Sequence, residues 1–267
     1  LAMAEPEARS MSVPTNGERV RARVNRYLLL YTPVWCGVVL LLVVTRIFAG
    51  WRDLGLMLLG IGLAIPVWLA PLFCERGVPL QRAYATKAAI YITLLSFLQN
   101  YFGTTLFFRC FGLTYKFPAT ILGNGSPIFL SFMTVAYFGM YFSIMHTVLS
   151  FAERRLGRGL SERGQKLLRL GLMLVLAYAL AAAETLFMAN DMLRDFFYYG
   201  NKARMMQVGS VCYGTLLFLG FWRYYAIDVD SAHRQDQPTS LSTLTFEVMG
   251  VNTLILCFYE LYAAILK

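Results

Sequence analysis

LLRLGLMLVLAYALAAAETLFMAN, residues 167 to 190, is the stretch from which the rest of the chain is read. It is long and apolar enough to cross a bilayer, which takes about 20 residues for a hydrocarbon core of roughly 30 Å. It also carries Glu184 in its last third. An ionisable group in a spanning helix costs about 2.5 kcal/mol or more near the centre, so it faces the bundle or a cavity. Ala177 and Ala181 fall on the same helical face as Glu184, and small residues there let a neighbouring helix approach closely. The stretch predicts a bundle of spanning helices around a chamber walled by Glu184. The plainer alternative is a structural carboxylate, hydrogen-bonded between helices.

Composition agrees with a membrane bundle. The chain has 267 residues, 58% hydrophobic and only 15% charged, where a soluble domain has about a quarter charged. Its apolar residues come in blocks of about 20, which predicts an all-α polytopic bundle and not a β-barrel of short alternating segments. The net charge of +9 is concentrated in the connections, so it reflects topology and anionic headgroups and not nucleic acid. Five scattered cysteines and two histidines show no metal-ligand spacing, so neither a metal site nor a disulfide framework is expected.

Seven spans are expected, at about 27–48, 54–73, 87–108, 128–151, 167–190, 208–225 and 244–266. Residues 1–26 read as a polar arm, and 27–267 as one transmembrane domain. The third span carries Ser96, Gln99, Asn100, Thr104 and Thr105, too polar a cluster for a lipid-facing helix. Residues 109–127 read as an interfacial or partly re-entrant loop, and 191–207 as a mixed aromatic and charged loop. Counted by alternate connections, Lys and Arg are roughly twice as frequent on the side of the amino-terminus, which places that end on the cytoplasm-equivalent side.

Depth follows from a rise of about 1.5 Å per residue. Asn100, Thr104, Thr105, Glu184, Asn190 and Glu260 all fall near the outer ends of their spans and can share one chamber. His146 falls roughly 15 to 20 Å away, near the basic inner loop. Phe102, Phe107, Tyr101, Tyr137 and Tyr141 are aromatic candidates for the lining. The chamber is expected between spans three, four, five and seven, at roughly 300 Å³ or more, to admit a flat apolar molecule.

The strings LLYTPVW (29–35), NYFGTTLFF (100–108), GLTYKFP (112–118), ETLFMAN (184–190) and QVGSVCYG (207–214) resemble cycloeucalenol cycloisomerase, the plant-type cyclopropyl sterol isomerase family. The resemblance spans about residues 27 to 262. It implies a small polytopic enzyme that opens the cyclopropane ring of a sterol precursor and leaves a ring double bond, without a cofactor. One acid must protonate a strained carbon, the carbocation must be stabilised, and a base must remove a proton elsewhere. The chain departs from the family pattern where Gly103 and Thr105 replace Trp and His, and where Ile128, Val135 and Phe142 replace further histidines. Asn100, Glu184, Asn190, Glu247 and Glu260 keep acidic or amide positions.

Two readings of different class follow. In the first, the protein is an active isomerase of the endoplasmic reticulum, with Glu184 and Glu260 as acid and base and Asn100, Thr104, Thr105, Asn190, Tyr101 and Tyr141 binding a sterol. In the second, it is a degenerate relative serving as a structural subunit of a larger complex in an organelle inner or thylakoid membrane, packed against lipids and other membrane subunits. A transporter or lipid-binding role is a third class.

Overall fold

A computed structural model describes residues 16–228 and 239–266 of the chain. The polar arm before residue 16, the loop around His233 and Lys267 lie outside the described residues. Residues 16–26, expected in the arm, are instead the first turns of helix α1 (Asn16–Thr45). The remaining long helices are α2 (Asp53–Cys74), α5 (Ile128–Leu156), α6 (Glu162–Met188), α7 (Lys202–Ala226) and α8 (Leu241–Ile265). These six are long and apolar enough to cross a membrane. Between α2 and α5, residues 84–111 are helical throughout but in three pieces. They are α3 (Tyr84–Leu98), a π-helical turn (Gln99–Gly103) and α4 (Thr104–Phe111). The protein is thus an all-α membrane-type bundle.

Local chemistry sets where the helices start and stop. The side chain of Ser161 accepts from the Gly164 N–H and caps α6, with Glu162 in its first turn. Asn201 and Ser240 cap α7 and α8 in the same way. Gly112, at φ 64°, closes α4 in the left-handed conformation that glycine adopts without a Cβ penalty. Pro66 and Pro71 sit inside α2, where packed neighbours make up for the missing donors. Helix α1 packs along the same stretch: Tyr27 Oη donates to the Pro66 carbonyl at 3.0 Å and Tyr31 Oη to the Leu63 carbonyl at 2.9 Å.

The core sits around α5 and α7, where 56% of the residues in the apolar stretch are buried, against 11% in α1. Gly60 of α2 lies so close to α5 that a Cβ would stand 2.6 Å from the Phe129 carbonyl oxygen. Ala177 and Ala181 of α6 are fully buried, in line with their reading as a close-packing face.

The two ends of the bundle differ. At the Arg-rich end, ion pairs lock the helices together. Lys87 is fully buried and donates to both carboxylate oxygens of Asp228, at 2.9 and 2.7 Å. Arg169 pairs with Glu153, which also accepts from Tyr225 Oη, and Arg223 pairs with Glu247. Glu247 is therefore engaged far from the chamber expected at the outer ends. His146 is buried at the same end and packs its ring 5.9 Å from that of Tyr225.

The opposite end is roofed by loops. Strand β1 (Leu113–Tyr115) pairs antiparallel with β4 (Phe197–Tyr199), matching Leu113 to Tyr199. Strands β2 (Leu122–Gly123) and β3 (Ser126–Pro127) form a hairpin on Asn124 and Gly125, both at positive φ. Asn-Gly suits such a turn because both central residues tolerate that backbone. The Asp53 carboxylate at the start of α2 accepts from the Thr120 and Ile121 N–H groups and from the Thr120 hydroxyl, and so ties this loop down.

Candidate functional site

Beneath this roof lies a cavity of about 210 Å³. The π turn and α4 give it Gln99, Asn100, Gly103, Thr104 and Phe107, all on one face. Thr134, Tyr137, Phe138 and Tyr141 come from α5, Glu184 from α6, Tyr213 from α7 and Tyr259 from α8. Val39, Leu42 and Val43 of α1 form a wall that was not expected. The strand pair closes the top with Tyr115, Phe197 and Tyr199. Phe48 and Phe196 stack 4.7 Å apart beside it, and Phe117 meets Phe129 edge-on at 5.1 Å.

The volume falls below the roughly 300 Å³ expected of a site for a flat apolar molecule. Phe142 and Val135 do not fill the space: both are packed into the core, and the cavity is lined by the α5 positions between and beside them.

Glu184 is 8% exposed, and its Oε2 is buried with no hydrogen-bond partner among the described residues. Six tyrosines line the same cavity: Tyr115, Tyr137, Tyr141, Tyr199, Tyr213 and Tyr259. Tyr137, Tyr199 and Tyr213 are close enough to interact electrostatically with the Glu184 carboxyl. The hydroxyls of Tyr199 and Tyr213 are 3.4 Å apart. Burying a polar group without a partner costs about 1–3 kcal/mol, so this carboxyl is held at the expense of stability.

The sequence-predicted residues divide evenly. Glu184, Asn100, Thr104 and Tyr141 line the cavity. Asn100 Nδ2 donates to the Ser96 carbonyl and to Thr134 Oγ1, both at 2.9 Å, so both amide hydrogens are engaged. The other four lie elsewhere, for reasons of helical phase. Tyr101 and Thr105 fall on the next face of the same helical run, where Asn124 Nδ2 donates to the Tyr101 carbonyl and to Thr105 Oγ1 and holds the hairpin in place. Tyr101 is 47% exposed, with Phe102 beside it at 45%. Asn190 Oδ1 accepts from the Met192 N–H and caps a single 3₁₀ turn. Glu260 is one position beyond Tyr259, rotated away from the cavity, and makes an exposed ion pair with Arg109 at 2.9 Å. No hydrogen bond joins Glu184 to Asn100, Asn190 or Glu260 among the described residues.

The π turn explains how so many polar groups face inward. One extra residue per turn brings Gln99, Asn100, Gly103 and Thr104 onto the cavity side, and such bulges recur at functional sites. Gln99 Nε2 donates to the buried Asn252 Oδ1 at 2.6 Å. A Cβ at Gly103 would stand 2.4 Å from Gln99 Oε1 and 3.3 Å from the Tyr259 ring. Gly103→Ala is therefore expected to dislodge the pinned Gln99 amide and cost about 1–3 kcal/mol. Thermal unfolding in detergent checks this. Adding Asn252→Ala to Gly103→Ala should then cost less than the sum of the two single changes.

No family model matches the chain, and no solved structure matches it. Among curated proteins, cycloeucalenol cycloisomerase of Arabidopsis thaliana is 25% identical over 244 residues, covering 88% of this chain and 83% of the plant protein.

Proposed function

We propose that this protein is a membrane-embedded sterol isomerase of the cyclopropane-opening type, working in the cavity beneath the β1–β4 roof. The observation that carries the reading is Glu184: a carboxyl with an oxygen that has no hydrogen-bond partner among the described residues, kept in a largely aromatic and apolar cavity. Similarity to cycloeucalenol cycloisomerase over most of both chains supports the same reaction class.

The chemistry suits the lining. Glu184 delivers a proton to a cyclopropane carbon, and the adjacent ring bond breaks as its electron pair forms the new C–H bond. The positive charge that develops on the neighbouring carbon meets aromatic faces from Phe107, Tyr137 and Phe138, whose quadrupoles attract a cation. Exclusion of water keeps the cation from being trapped as an alcohol. Glu260, exposed and paired with Arg109, takes no part. Asn100, whose nitrogen is held by Ser96 and Thr134, and Thr104 give the cavity a polar edge that can receive a substrate hydroxyl.

Since the cavity is small for a sterol, substrate reaches it by displacing side chains on the α1 side. That wall belongs to the least buried helix, and its outward neighbours Leu41 and Val44 are exposed to the bilayer. Access is thus lateral, from the hydrocarbon. Under this reading the Arg-rich end faces the cytoplasm and the membrane is the endoplasmic reticulum. A membrane-impermeant thiol reagent should label single introduced cysteines in segments 152–166 and 191–207 from opposite sides, and labelling of both from one side contradicts the topology.

The second reading, a structural subunit that keeps the fold, is favoured by the modest cavity volume. The two readings part in one assay, conversion of a cyclopropyl sterol by the purified protein. The enzyme opens the ring in a Glu184-dependent way. The subunit leaves the sterol unchanged and migrates with a large complex on mild extraction.

A further inference from the structure

The isomerase reading leaves half the reaction without a residue. A proton must leave a carbon next to the cation, and Glu184, having given up its own, must be recharged. We propose that the hydroxyls of Tyr199 and Tyr213 form a relay that takes the departing proton and returns it to Glu184. The inference rests on the isomerase reading and adds to it the route of the second proton.

Two observations place the relay. Both tyrosines line the same cavity as Glu184. Their hydroxyls are 3.4 Å apart, within reach of proton exchange, on two separate elements, the roof strand β4 and helix α7. Neither hydroxyl hydrogen-bonds Glu184 among the described residues, so the final transfer follows rotation of the Glu184 side chain within the shared cavity. Neither ring is loose: Tyr199 is fixed by the pairing of β4 with β1, and Tyr213 packs its ring 4.8 Å from that of Phe107.

A phenol is a weak base, and a weak base is enough here. A carbon–hydrogen bond beside a carbocation is so acidic that a neutral oxygen accepts the proton. The hydroxyl nearer the substrate binds that proton as the C–H electron pair closes the ring double bond. It passes its own proton to the second hydroxyl, and the second passes one to the Glu184 carboxylate. The sterol has gained one proton and lost one, the two phenols are unchanged, and the carboxyl is ready for the next turnover. No second carboxylate is needed, and among the described residues Glu184 is the only acidic one lining the cavity.

The test uses the full chain in detergent with a cyclopropyl sterol as substrate. Tyr199→Phe and Tyr213→Phe remove one oxygen and keep the ring that packs. Each is expected to lower kcat about a hundredfold with KM nearly unchanged. Each is also expected to convert a single product into a mixture of double-bond isomers, because the cation then loses whichever proton it can. The isomer ratio is read from product alone, so it holds even if part of a variant sample is unfolded. Wild-type turnover and a single product in both variants would overturn the relay while leaving the Glu184 site standing. Failure of the wild-type protein to open the ring would overturn the isomerase reading and the relay with it.

Discussion

Glu184→Gln is expected to reduce ring opening by a factor of about 10² to 10⁴, the range that a positioned acid contributes, or beyond. Glutamine matches glutamate in shape but has no proton acidic enough for a strained carbon. Cavity and aromatic lining stay in place, so sterol binding should survive and the loss should fall on kcat. Stability is expected to hold or rise, since Oε2 of Glu184 has no hydrogen-bond partner to lose among the described residues. Glu184→Leu is the sharper case. A leucine there removes an unpaired buried polar group and should raise stability by about 1–3 kcal/mol while abolishing turnover. This opposition of activity and stability is the mark of a functional carboxylate. A structural one, hydrogen-bonded between helices, would lose stability on going to leucine. Sterol turnover and thermal unfolding of the same three preparations decide the matter.

Lys87→Met is expected to destabilise the protein by about 3–5 kcal/mol, the usual cost of removing one member of a buried ion pair. The ammonium of Lys87 reaches both oxygens of Asp228, whose side chain is only 18% exposed. Asp228 also accepts from the Thr239 N–H at 3.0 Å, so the pair ties α3 to the end of α7 and to the approach to α8. Methionine fills a similar volume, so the cost arises from the aspartate that loses its ammonium. Asp228 stands at φ 56°, a backbone that asparagine accepts. Lys87→Met combined with Asp228→Asn should therefore recover much of the loss. Denaturation in mild detergent measures both, and a change under 1 kcal/mol for Lys87→Met would count against this lock.

The bundle was legible because hydropathy and length alone mark a spanning helix. The stretch that opens on residue 167 lies within Glu162–Met188 and the turn after it, and the span expected from residue 128 starts where α5 starts. The face of α6 was legible too, since Ala177, Ala181 and Glu184 recur at helical spacing and all three are buried. Rotation about the other helices was not. Depth placed Glu260 correctly near the loop-roofed end, but neighbouring positions on a helix point about 100° apart, and it is Tyr259 that faces in. The π turn defeated phase counting in the same way, admitting Asn100 and Thr104 to the cavity and turning Tyr101 and Thr105 out of it. The roof left an unequal trace. The Asn124-Gly125 dipeptide was by itself a hairpin signal in plain sight. The pairing of β1 with β4 joins segments more than 80 residues apart, and nothing local encodes it. Tyr199 therefore read as part of a mixed loop, although it reaches the cavity.

Protonation of the sterol from inside the cavity is most directly tested in deuterated water. Purified wild-type protein, with its exchangeable carboxyl and phenols carrying deuterium, is incubated in molar excess over a cyclopropyl sterol, so that each site turns over once before substrate hydrogen is returned to Glu184, and the recovered sterol is characterised by mass spectrometry and NMR. The expected result is a ring-opened isomer with one deuterium on the carbon that was protonated and with the double bond at a single position. Recovery of the sterol unopened and unlabelled, from protein that is folded and monodisperse, would contradict the assignment of this cavity as an isomerase site.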